Sequence, residues 1–275
     1  MSTLNNAPIG VFDSGIGGLT VLNALWQTLP QESFVYLADT ARIPYGTKSP
    51  ETVCQYAKQV CGQFIRQHHI KALVVACNTA SAHALSTLKN EFKDIPILGV
   101  IIPGAAAAVK ATCNQHIAVI ATEGTARSHA YEEAIQHFNQ AIRVTTQACS
   151  LLVPLVEEGW LEGEITQRIV EQYLQPLFKT QDVTTPDTLV LGCTHFPLLK
   201  RCIESYVGKN VQVIDSATTA AAQTLSLLQE HDLLSSAPKQ ETLFLVTDSP
   251  QRFITTANIF LGKPLDENRV RHISV

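Results

Sequence analysis

Nine short β-rich runs punctuate the chain, at 9–12, 34–38, 72–76, 97–101, 117–121, 143–146, 188–192, 211–214 and 243–246. Most read as unbroken apolar segments, such as "FVYLA", "ALVVA", "IAVIA" and "TLVLG". Unbroken runs mark strands buried on both faces, whereas alternation would mark one wet face. Longer stretches with apolar residues at helical spacing lie between them, including 51–67, 80–92, 127–138, 164–178 and 217–231. Strands alternating with helices predict an α/β fold of mainly parallel sheets covered by helices. No linker, low-complexity tract or block of like charge interrupts the pattern.

Two stretches share one plan. "LVVACNTASA" (73–82) and "LVLGCTHFPL" (189–198) each run from a buried strand through a small residue into Cys and then polar residues that open a helix. A weaker echo links "VFDSGIGG" (11–18) with "VIDSATTA" (213–220). Both echoes predict two similar halves, with a first domain of 1–98 plus 213–275 and a second of 99–212. In open α/β sheets ligands bind beyond the carboxyl ends of the strands, where all four echo sites fall.

Composition narrows the class. The 275 residues are 45% hydrophobic and 16% charged, with a net charge of −4. That excludes a disordered chain and gives no basic footprint for nucleic acid or a membrane surface. No apolar run approaches the roughly 20 residues that span a bilayer, and the opening "MSTLNNAPIG" lacks the features of a signal peptide. Seven cysteines at irregular spacing form no disulfide framework, which predicts free thiols in a reducing cytoplasm.

The glycines of "DSGIGG" resemble a phosphate loop, but Thr20 breaks the dinucleotide fingerprint and Asp13 would repel pyrophosphate. A carboxylate at that mouth suits a zwitterionic ligand, with amide N–H groups holding its carboxylate. Cys54, Cys61, Cys113, Cys149 and Cys202 read as small buried hydrophobes. Cys77 and Cys193 stand where helices begin, a setting that lowers a thiol pKa. Zinc would want a fourth ligand beside Cys77, Cys193 and His195. A Cys-His hydrolase would leave one thiol idle, and a redox pair or a non-catalytic binding site stays open. Racemisation or epimerisation uses both thiols, one removing a proton from one face of a carbon and the other returning one to the opposite face. His195 sits in the second Cys motif. Asn78, Thr79 and Thr194 serve as helix caps or as ligand contacts. Ser49 and Pro50 read as N-cap and N1, leaving Tyr45-Gly46 free.

"FDSGIGGLTVL", "YLADTARIPYG", "ACNTASA", "PLVEEG" and "LGCTHFPLL", in this order over nearly the whole chain, resemble the glutamate racemases. The resemblance implies a cofactor-independent and metal-independent enzyme of two pseudo-symmetric α/β domains, with the active site in the cleft between them. It implies interconversion of L- and D-glutamate, supplying D-glutamate for peptidoglycan. By motif, Cys77 acts as the base toward D-glutamate and Cys193 toward L-glutamate. Asp13 assists Cys77, His195 assists Cys193, and Glu157 supports the histidine. Substrate contacts fall on Asp13, Ser14, Tyr45, Gly46, Asn78, Thr79, Thr194 and His195, with Thr122 and Thr125 as candidates for the carboxylates. A UDP-muramoyl-alanine activator and a homodimer are the partners the resemblance leaves open. Aspartate racemases, the nearest rival, typically carry an acid where this chain has His195.

Overall fold

The computed structural model describes residues 3–179 and 185–275. In chain order its strands are β1 Ile9–Asp13, β2 Phe34–Ala38, β3 Ala72–Val75, β4 Ile97–Gly99, β5 His116–Ala121, β6 Arg143–Ala148, β7 Thr188–Gly192, β8 Gln212–Asp215, β9 Leu243–Val246 and β10 Val270–His272. They form two sheets, ordered β10-β9-β2-β1-β3-β4 and β6-β5-β7-β8. Every pairing is parallel, as unbroken apolar strands require. Strand β10 was not expected. Its "VRH" is largely exposed at a sheet edge and carries no apolar signature.

The sheets share a core. One buried cluster runs from Val11 and Val74 of the first sheet through Ala118 and Leu189 of the second. Helices Leu19–Thr28 and Ser216–Glu230 pack on each other within it. Helix Pro50–His68 starts as its sequence dictates: Ser49 Oγ accepts the Thr52 N–H and Pro50 takes the first helical position. The expected helix at 80–92 is instead two, Asn78–His83 and Leu85–Glu91. The break falls where the Cys54 thiol donates to the His83 carbonyl, 2.8 Å away, and occupies an acceptor of the next turn. The stretch 127–138 is likewise divided, because His129 at φ 56° separates Glu123–Arg127 from Ala130–Phe138.

The topology keeps the stronger echo and revises the weaker one. Strand β3 lies between β1 and β4, and β7 lies between β5 and β8, so Cys77 and Cys193 leave equivalent strands. Strand β8 therefore takes the place of β4, and the counterpart of β1 is β5. Asp215 caps helix Ser216–Glu230, accepting the Thr218 N–H at 2.8 Å. Val213 pairs with Leu189 of β7, so the strand assigned to the first domain from 213 belongs to the second sheet. The chain crosses back through helix Ser216–Glu230, whose packing on Leu19–Thr28 makes that path short.

Candidate active site

The loop after β1 opens with Asp13, 1% exposed. Its Oδ2 accepts the Gly15 N–H at 2.9 Å, while Oδ1 has no hydrogen-bond partner. Burial pushes this carboxyl above the usual carboxylate range, against the pull of the Gly15 N–H and of His195. The glycines have a steric purpose. A Cβ on Gly18 would meet Asp13 Cβ at 2.5 Å, and one on Gly17 would meet His195 Nδ1 at 2.5 Å. The loop can thus lie directly against the motif that follows β7. Thr20 Oγ1 ties the two together by donating to the Thr194 carbonyl at 2.9 Å. Tyr36 on β2 supports the loop from beneath, its hydroxyl donating to the Gly15 carbonyl at 3.0 Å.

Cys77 is 6% exposed and is itself the N-cap of helix Asn78–His83. Its Sγ accepts the Ala80 N–H at 3.4 Å and lies 3.2 Å from Ser14 Oγ. Because Cys77 does the capping, Asn78 and Thr79 are left free to face the cleft. The expectation that the helix lowers this thiol's pKa fails. Burial, reinforced by the charge of Asp13, pushes it up to about 12, and the hydrogen bonds from Ser14 and Ala80 only moderate the rise.

Cys193, 5% exposed, follows β7. No α-helix begins there, only a 3-10 turn at Phe196–Leu199. Its partner is the His195 ring, with Sγ 3.8 Å from Nδ1. On the far side of the ring Nε2 lies 3.1 Å from Glu157 Oε1, at the end of helix Leu152–Glu157. Burial depresses the imidazole's basicity, yet the hydrogen bonds and charges of Cys193 and Glu157 outweigh it and raise its pKa to about 10. Burial also works against the Glu157 carboxylate, but the His195 hydrogen bond and charge, with Arg252, carry it below its ordinary range. The imidazolium form is the one that can donate to both neighbours at once.

The two motifs face a cavity of about 330 Å³. Ser14, Cys77, Asn78 and Thr79 line it from the first sheet, and Thr122, Cys193, Thr194, His195 and Glu157 from the second. Tyr45 and Gly46 also line it, although the Tyr45 hydroxyl is turned away to donate to Asp39 Oδ2 at 2.6 Å. Two expected contacts stand back from the wall. Asp13 lies beneath the loop, and Thr125 sits behind Thr122 and Thr79, with hydroxyls 3.0 Å and 3.1 Å away. Ser150, Val153 and Pro154 form a wall that the sequence reading missed. They closely precede Glu157 in the chain, and Pro154 opens the "PLVEEG" motif. Tyr131 was missed as well. Its hydroxyl donates to Asn78 Oδ1 at 2.8 Å, joining the two halves.

One buried thiol just beyond each of two equivalent strands, facing a single cleft of a two-sheet α/β fold, is the arrangement that a two-thiol amino-acid racemase requires. The family model described as Asp/Glu/hydantoin racemase matches residues 10–224. The chain belongs to the glutamate racemases. The glutamate racemase of Geobacter metallireducens is 47% identical over 260 residues, 94% of either chain. The crystal structure of the Francisella tularensis glutamate racemase in complex with D-glutamate superposes with a TM-score of 0.90 at 37% identity, covering 98% of each chain. The Escherichia coli glutamate racemase, in complex with L-glutamate and the activator UDP-MurNAc-Ala, has a TM-score of 0.77 at 26% identity, covering 92% of this chain and 95% of that one.

Proposed function

We propose that the protein interconverts L- and D-glutamate through two thiols acting as opposed bases. The observation that carries the reading is the equivalence of β3 and β7, which delivers Cys77 and Cys193 to one cavity. The His195 ring, its pKa raised by its neighbours, lies 3.8 Å from Cys193 Sγ, while burial keeps Cys77 as a thiol. In this state Cys193 takes the α-proton of L-glutamate and becomes a thiol. The Cys77 thiol gives its proton to the opposite face of the carbanion and becomes a thiolate. The product is D-glutamate, and the enzyme is left ready for the reverse reaction. Asp13 and Ser14 assist at Cys77, and His195 and Glu157 at Cys193. Ser14, Asn78, Thr79, Thr122, Thr194 and the Tyr45-Gly46 backbone hold the substrate. Hydrogen bonds aimed at the substrate carboxylate stabilise charge as the carbanion forms, which is where electrostatic preorganisation counts most.

The same reading divides the chain at the two crossings, near 98 and beyond β8, into two domains. On this reading the enzyme works in a reducing cytoplasm and supplies D-glutamate for peptidoglycan. No helix among the described residues is long and apolar enough to cross a membrane. Two partners belong to this reading: a UDP-muramoyl-alanine activator, read from the rate with and without it, and a second copy of the chain, read from sedimentation.

The test is D-glutamate with purified protein in D2O without added cofactor, followed by optical activity and the α-proton signal, with D-aspartate in parallel. Loss of both signals for glutamate alone supports the reading. Exchange with aspartate alone, or with neither in the presence of the activator, overturns it.

A further inference from the structure

Asn78, a residue of the cleft wall, carries an unpaired polar atom. The residue is 3% exposed and lines the cavity, and its side-chain Nδ2 is buried without a hydrogen-bond partner. A buried amide NH2 left unpaired is costly, so its natural partner is an acceptor that arrives with the ligand. The other end of the same amide is occupied, because Oδ1 accepts the Tyr131 hydroxyl at 2.8 Å. Tyr131 stands on helix Ala130–Phe138 of the second half and is itself 2% exposed. Its ring fills a slot between two glycines. A Cβ on Gly192 would meet its Cε2 at 3.0 Å, and one on Gly104 would meet its Cε1 at 3.4 Å. Gly192 immediately precedes Cys193, and Asn78 immediately follows Cys77. One phenol therefore touches the loops of both thiols.

We infer that Tyr131 is a positioning residue for racemisation: by donating to Asn78 Oδ1 it fixes the amide so that Nδ2 points into the cleft as a donor to a carboxylate oxygen of the substrate. An amide is nearly symmetric in shape but not in charge. Rotated by half a turn, Asn78 would present its carbonyl oxygen to the substrate carboxylate, and attraction would become repulsion. The slot prevents the ring from following such a rotation. Burial pushes the Tyr131 hydroxyl well above its ordinary pKa, so it keeps the proton it donates.

This inference rests on the racemase reading, which wild-type turnover of glutamate checks by itself. Tyr131→Phe removes the hydroxyl and keeps the ring in its slot, so the thermal midpoint should move little. We expect kcat/KM for glutamate to fall roughly ten- to a hundredfold, carried mainly by KM, because the lost contact holds ground state and transition state alike. The Kd of D-glutamate, measured calorimetrically, should weaken in parallel. In an Asn78→Ala background the same substitution should cost less than about twofold in Kd, since its effect runs through the amide. An unchanged KM and Kd in Tyr131→Phe would overturn the inference. So would an undiminished penalty in the Asn78→Ala background, which would make Tyr131 a merely structural residue.

Discussion

Gly17 and His195 approach so closely that a single Cβ on the glycine would lie 2.5 Å from the ring Nδ1. That atom also faces Cys193 Sγ, so the loop after β1 closes the back of the Cys193 half of the site. Thr194 Oγ1 is crowded by the same Cβ. Gly17→Ala is expected to displace His195, a buried group with little room to yield, and to lower kcat/KM by at least about a hundredfold. Steady-state kinetics, with circular dichroism to confirm folding, checks this.

The two-base assignment separates racemisation from exchange. Cys77→Ala and Cys193→Ala should each abolish loss of optical activity. Each should retain a base for one enantiomer, with deuterium uptake from D2O confined to that enantiomer. Proton NMR of both enantiomers with each variant reads the outcome, and substantial racemisation by either variant contradicts the mechanism.

His195 sets an alkaline limit. Its pKa is raised to about 10, so the folded state binds a proton that the unfolded chain, with an ordinary imidazole, releases at lower pH. The stabilisation is fully present below the unfolded imidazole pKa of about 6.5 and is lost as pH rises through about 10. Turnover of L-glutamate should decline over the upper part of that range as the imidazolium loses its proton. His195→Gln keeps a neutral donor and removes the titration. It should lower kcat at neutral pH by roughly a hundredfold and flatten the alkaline side of the profile.

Far from the cleft, Lys71 and Glu32 form a fully buried ion pair at 2.5 Å. The ammonium also donates to the carbonyls of Asn5 at 2.6 Å and Leu233 at 2.7 Å, and Glu32 Oε1 accepts the Ser235 N–H at 2.8 Å. Lys71→Met strands the carboxylate and should destabilise the fold by about 3–5 kcal/mol. The Lys71→Met/Glu32→Leu pair should recover part of that loss. Urea unfolding gives the energies, and kcat/KM of the folded protein should remain unchanged.

The strands were legible because parallel sheets leave unbroken apolar runs, and Cys77 and Cys193 were legible because they end two matched runs. The contacts that cross between halves were not. Tyr131 reads as an ordinary apolar position on its helix, and nothing within 50 residues of it names Asn78. The weaker echo misled because Asp13 and Asp215 share neighbours in sequence but end strands at different places in their sheets. The Cys77 thiol escaped local reasoning for a different reason. Helix onset is a property of a few residues, whereas burial depends on the whole molecule.

The order of the strands also bears on how the protein is made. The first sheet begins with β1, β2 and β3 but is completed only by β9 and β10, the last strands to leave the ribosome. Until then β2 has an open edge, while all four strands of the second sheet have already been synthesised. An exposed strand edge is a template for pairing with other chains. Such long-range parallel pairing also slows folding. A nascent chain thus carries half of its active site, Cys77 included, on a sheet that is still unfinished.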